Sequence, residues 1–161
     1  QDVYKRQVFP EPQAVFSKAK VLPGIDGRKM SKSYGNTIPF GAGPEEMWER
    51  IRMMTTDPQR IKKTDPGHPE VCIVYAFHKV FNPEEYEEIG ARCSAGEIGC
   101  VECKKRLAEK MNALLADIHT KREELSKKPE YIKEVLDYGA QRARKEAEKT
   151  MAEVKTAMNV L

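Results

Sequence analysis

Long apolar runs are missing from this 161-residue chain. Nothing approaches the roughly 18 consecutive apolar residues that a membrane-spanning helix requires, so no partner membrane is expected. The opening QDVYKRQ has no apolar h-region, which excludes a secretory signal there. It also has no initiator Met and no helix cap, so residues 1–7 read as a non-native remnant ahead of a fragment. Internal repeats and low-complexity stretches are absent too. With 40% apolar and 33% charged residues, the composition argues against a disordered tail or collagen and for a chain that buries a core.

Charge of one sign is also lacking overall: 28 Lys+Arg face 25 Asp+Glu, a net +3. Locally the balance shifts. Lys18, Lys20, Arg28, Lys29 and Lys32 stand against Asp26, and Arg50, Arg52, Arg60, Lys62 and Lys63 against Asp57. Such excesses suit phosphate-bearing partners, although two solvated faces would look the same.

Residues 8–22 read as extended chain, since Pro10 and Pro12 exclude a helix. Residues 23–43 form a loop containing five glycines. From Pro44 the pattern turns helical. Pro44 with Glu45 and Glu46 opens a helix whose apolar face is Met47, Trp48, Ile51 and Met54. Residues 56–68 are a connector. After Pro69 a mostly buried helix holds Val71, Val74, Tyr75, Phe77, His78 and Phe81. Core packing is the expected role of Trp48 and of His78. Asn82-Pro83-Glu84-Glu85 reads as N-cap, N1 and N3 of the next helix, which ends near Arg92. Ser94–Gly99 is a turn. A long helix follows over about 100–127, with Leu107, Met111, Leu114, Leu115, Ile118 and Leu125 on one stripe. Pro129 opens the last helical stretch, with Ile132, Val135 and Leu136, a possible break at Gly139, and then Ala143, Ala147, Met151, Val154 and Met158. The pattern predicts a helical bundle sharing one core.

Two segments carry chemistry. The loop LPGIDGRKMSKSYGNTI, residues 22–38, places Lys29 and Lys32 three apart among glycines and serines. Flexible backbone and compact cations suit a loop that closes on phosphates, with Ser31 and Ser33 as further donors. A solvent-exposed basic turn is the plainer alternative. The four cysteines, Cys72, Cys93, Cys100 and Cys103, follow C-x20-C-x6-C-x2-C. Cys100 and Cys103 share a helix face, Cys93 is brought back by the turn, and Cys72 sits on the buried helix. Converging thiolates would hold tetrahedral Zn²⁺ or a [4Fe–4S] cluster; otherwise they are buried free thiols.

Lys29-Met30-Ser31-Lys32-Ser33 is KMSKS, a signature of class I aminoacyl-tRNA synthetases. The wider string PGIDGRKMSKSYGNTI, with the tail ARKEAEKTMAEVKTAMNVL, resembles the tryptophanyl-tRNA synthetase family. The resemblance implies a mainly α chain: residues 8–43 as the C-terminal edge of a Rossmann-type nucleotide-binding domain (a short strand plus the KMSKS loop), then residues 44–161 as an α-helical anticodon-binding bundle. It implies ATP with Mg²⁺, tryptophan and tRNA(Trp) as partners, a cytoplasmic setting and a homodimer at full length. Lys29 and Lys32 take the catalytic role of stabilising departing pyrophosphate. Lys29, Met30, Ser31, Lys32 and Ser33 form the ATP-binding set, with Met30 an apolar anchor. The four cysteines resemble the C-x22-C-x6-C-x2-C motif that binds [4Fe–4S] in a bacterial subset of the family, with a first interval two residues shorter. The following Lys104, Lys105 and Arg106 are candidates to meet RNA, or an ordinary solvated face. A second class I signature, HIGH, is not found around His68, His78 or His119, so this polypeptide is expected to be a C-terminal portion, inactive alone. The alternatives are a tyrosyl-tRNA synthetase portion, or a non-catalytic metal-stapled RNA-binding module.

Overall fold

The structure, a computed structural model, describes residues 8–16 and 21–160. Segment 1–7 and Lys18 and Lys20 of the first basic group lie outside the described residues. Five α-helices follow in chain order: α1 Pro44–Arg52, α2 Ile73–Phe81, α3 Tyr86–Ser94, α4 Cys100–Ser126 and α5 Pro129–Met158. Short 3₁₀ turns at Lys32–Tyr34 and Pro69–Val71 complete the regular structure among the described residues. No helix of these residues is long and apolar enough to cross a membrane. They divide into two compact units, one within 17–122 and one joining the residues before 17 to those from 123 onward.

Within 17–122, α1, α2 and α4 enclose the core. Met47 and Ile51 of α1 are fully buried, with Met54 just past its end. Their i, i+4, i+7 spacing makes one stripe. They meet Val74 and Phe77 of α2 and Leu107, Ala108, Met111 and Leu115 of α4, with Trp48, Phe81 and Met30 packed alongside. Phe77 stacks on Phe81, whose ring also meets the edge of Phe40. The turn after α3 buries Ile98 completely, a core position that no helical period marks.

Four expectations need correction. The short strand expected over 8–22 is absent from its described residues, and only an isolated bridge joins Pro23 to Lys29. A strand needs a neighbour to exchange hydrogen bonds with, and none is present among the described residues. The Asn82-Pro83-Glu84-Glu85 signal forms a turn ahead of α3, which begins at Tyr86 and runs to Ser94. Asn82 accepts from the Glu85 and Tyr86 amides through its carbonyl, while its buried side-chain oxygen has no partner. Val71 is exposed because the 3₁₀ turn precedes α2 and points it outward. Finally, the apolar stripe expected to share a core along α5 has no buried residue. Ile132, Val135 and Leu136 are all exposed, as are Leu114 and Ile118 of α4. Periodicity marks an apolar stripe, but only a facing element can bury it. Gly139 lies within an unbroken α5; an interior glycine costs only about 1 kcal/mol there.

His78 lies wholly inside the core, as expected of a satisfied histidine. Its Nε2 lies 3.1 Å from the Cys103 carbonyl oxygen, and its Nδ1 lies 3.3 Å from Asn82 Nδ2. Burial pushes its pKa below the usual 6.5. The folded state thus favours neutral imidazole. That preference stabilises the fold above pH 6.5 and is lost as pH falls below it. The urea midpoint should therefore drop between pH 7 and pH 5, and the drop should shrink in His78→Gln. Equal slopes for both proteins would contradict this.

Candidate functional site

The 22–38 loop is ordered from beneath by Asn36, which is 2% exposed. Its Oδ1 accepts the Ser31 amide at 2.8 Å. Its Nδ2 donates to Asp26 Oδ1 at 2.8 Å and to the Lys29 carbonyl at 3.2 Å. Its backbone carbonyl accepts from Ile25 at 3.0 Å. A Cβ on Gly24 would overlap the Asn36 carboxamide, so glycine is required by close approach. The hydrogen bond from Asn36, joined by those from Arg28, holds Asp26 near pKa 2, a carboxylate at any ordinary pH. Arg28 clasps Asp26 at 2.7 Å and lies over the Tyr34 ring. Gly27 and Gly35 take left-handed φ of 86° and 62° at the loop's turns.

Above this base, Met30 packs against the core as an anchor, and Ser31 Oγ pairs with Ser33 Oγ at 2.7 Å. Lys29 and Lys32 are exposed, and among the described residues neither ammonium makes a hydrogen bond or ion pair. The loop is tied to α1 on both sides. Arg50 Nη1 donates to the Gly35 carbonyl at 2.9 Å, and the Thr55 amide donates to the Ile25 carbonyl at 2.9 Å. Asn36, Asp26 and Thr55 were not marked as site residues by sequence, and Arg50 only as one of a basic group suited to phosphate. The Gly35-Asn36 pair was the available signal, as a turn-forming dipeptide.

The cysteines occupy one neighbourhood. Cys72 precedes α2, Cys93 lies in the last turn of α3, and Cys100 and Cys103 lie in the first turn of α4. All are free and half-buried. Burial pushes the Cys103 thiol up to about 12, and Cys72, Cys93 and Cys100 add to the shift. Cys93 is raised by burial and by Cys72 and Cys100, while Arg60 opposes this. Yet among the described residues no three His, Cys, Asp or Glu side chains are gathered to hold a metal ion. Convergence on one point, as read from the spacing, is thus not found. Neutral thiols attract one another weakly, and helix backbones alone set their separations. The surroundings nevertheless suit a sulfur-ligated group. Arg60 Nη1 lies 3.5 Å from Cys93 Sγ, its buried Nε has no partner, and a Cβ on Gly67 would stand 2.5 Å from that sulfur. Four sulfurs without a carboxylate among them are soft donors, fitting zinc or iron–sulfur.

The three candidate RNA contacts part company. Lys104 Nζ donates at 2.7 Å to both the Arg52 and Met54 carbonyls, at the end of α1. Burial lowers its pKa. Arg106 pairs with Glu102 at 3.4 Å. Lys105 is exposed and lines a cleft of about 590 Å³ with Lys62, Lys63, Arg60 and Cys100. The connector is closed by Asp57, which is 4% exposed and accepts from the Gln59 amide and, at 2.8 Å, the His68 amide. Burial raises its pKa, but these bonds and His68 outweigh that and hold it below the usual range.

This lysine-bearing loop on a helical unit matches a known protein class. Residues 1–116 match the family of class I tRNA synthetases (W and Y), and the chain belongs to that family. Its curated relatives include the tryptophan–tRNA ligase of Aquifex aeolicus, 45% identical over 96% of this chain and 40% of that protein. The ligase of Thermotoga maritima is 43% identical over 96% of this chain and 48% of that protein. Among solved structures, the tryptophanyl-tRNA synthetase of Campylobacter jejuni superposes with a TM-score of 0.73 at 34% identity, over 86% of this chain and 45% of that one. The same enzyme has been solved with ADP and tryptophan. The chain thus spans under half the length of these relatives.

Proposed function

We propose that this chain forms the C-terminal portion of a tryptophan–tRNA ligase, joining the ATP-facing loop to the helical unit that reads the anticodon of tRNA(Trp). In this reading residues 8–43 end the nucleotide-binding domain and residues 44–161 form the anticodon-binding part of a cytoplasmic, homodimeric enzyme. A tryptophan carboxylate oxygen attacks the α-phosphorus of ATP. The bond to the bridging oxygen breaks, and pyrophosphate leaves with Mg²⁺ alongside. The terminal ribose hydroxyl of the tRNA then takes the aminoacyl group and releases AMP. Lys29 and Lys32 neutralise the charge that builds on the departing pyrophosphate, and the Ser31 and Ser33 hydroxyls supply further donors.

One observation carries the reading: two exposed ammonium groups, without a partner among the described residues, stand on a base that Asn36 and Asp26 lock. Such a base positions charge without consuming it. The family match and the ligase relatives support the same chemistry. In the protein at full length, Lys29→Ala with Lys32→Ala should slow tryptophan-dependent pyrophosphate exchange by about 100-fold or more. An unchanged rate would overturn the reading.

Cys72, Cys93, Cys100 and Cys103 would hold a [4Fe–4S] cluster, with Zn²⁺ the alternative. When bound, it would supply a staple between α2, α3 and α4 whose binding energy adds to folding. The placing of the four cysteines at the facing ends of α2, α3 and α4, and the Gly67–Arg60 cradle around Cys93, support this. Anaerobic reconstitution should give visible thiolate–iron absorbance with equal iron and sulfide, lost in Cys100→Ser with Cys103→Ser. One zinc per chain without visible absorbance would replace iron–sulfur by zinc.

A further inference from the structure

We infer that Lys104 is a positioning residue for the lysine-bearing loop rather than a contact for RNA. Its side chain crosses from the first turns of α4 to the end of α1. There Nζ donates at 2.7 Å to each of two carbonyls, Arg52 and Met54. Both are carbonyls at the exit of a helix, where the chain has run out of intrahelical donors. A cation there also meets the negative end of the α1 dipole. The bond to Met54 is partly buried, with Met54 itself only 2% exposed, and the bond to Arg52 lies at the surface.

What Lys104 holds is the segment from which the loop hangs. One residue beyond Met54, the Thr55 amide donates to the Ile25 carbonyl at 2.9 Å. Two residues before Arg52, Arg50 Nη1 donates to the Gly35 carbonyl at 2.9 Å. Ile25 and Gly35 flank Lys29 and Lys32 in sequence. Residues 50–55 therefore grip both ends of the loop, and Lys104 grips residues 52–54. The core-facing side chains Met47 and Ile51 hold α1 itself without Lys104. Removing the ammonium frees the exit of α1 and the loop's attachment while leaving the helix seated. With two of its three donors on backbone carbonyls, Lys104 is poorly placed to meet a phosphate, unlike the exposed Lys105.

The inference rests on the reading of Lys29 and Lys32 as the ATP-facing pair, and the test separates the two. In the protein at full length, Lys104→Met should lower the rate of pyrophosphate exchange about tenfold, as expected when reacting groups are displaced from afar. It should leave the KM for tRNA and the transfer step from preformed adenylate unchanged. Lys104→Arg, which keeps charge and donors, should recover most of the loss. Hydrogen exchange should quicken at the Ile25 and Thr55 segments and not over 129–158. If Lys104→Met does not fold, Lys104→Gln is read the same way. A raised KM for tRNA with normal exchange would overturn the inference in favour of an RNA contact, and wild-type behaviour in every assay would overturn it outright. If the Lys29 and Lys32 variant is itself unslowed, the fault lies in the functional reading instead.

Discussion

Everything at the candidate site depends on one buried carboxamide. Asn36 satisfies the Ser31 amide, the Asp26 carboxylate and the Lys29 carbonyl from a position almost closed to water. A polar group buried in this way stabilises only when its partners are all present, because each one left unmade costs about 1–3 kcal/mol. The loop therefore has one economical arrangement at its base. The ends of Lys29 and Lys32 are outside that arrangement, and that is where mobility is useful: a closing loop needs a fixed hinge and unspent charge.

The same division between fixed and free groups recurs across the unit. Cations that look alike in sequence do different work in space. Arg50 and Lys104 spend their donors on backbone carbonyls, Arg28 is spent on Asp26, and Arg60 turns toward Cys93. Lys29, Lys32 and Lys105 remain exposed. Arg52, Lys62 and Lys63 of the second basic group are exposed as well, so each group mixes committed and exposed cations. The apolar core formed by α1, α2 and α4 sets which cations are spent, because it fixes how near each side chain comes to an unsatisfied carbonyl.

Much of the helical layout was legible. Pro44 and Pro129 marked helix starts, and the Met47–Ile51–Met54 and Leu107–Met111–Leu115 stripes marked buried faces. These are local signals, carried by proline stereochemistry and helical period. The misses are tertiary. Whether the Ile132–Leu136 stripe is buried depends on a facing element, not on its own period. Whether Asn82 caps a helix depends on where the turn after it closes. KMSKS was readable as a string, but the residue that supports it, Asn36, lies outside it and acts through side-chain bonds that no spacing rule encodes. The partners of Lys104 were hidden for the same reason: its neighbour in sequence is Cys103, whereas the carbonyls it meets lie some fifty residues earlier.

The most direct test of this account is exchange of the Asn36 side-chain amide protons with solvent. Nitrogen-15 spectra of the labelled chain would follow them, with the resonance pair assigned by its loss in Asn36→Asp. Two protons bonded to Asp26 and Lys29 inside a closed base should exchange orders of magnitude more slowly than those of a free carboxamide. Exchange at the free rate, with the chain otherwise folded, would show that the base is open and would contradict the account.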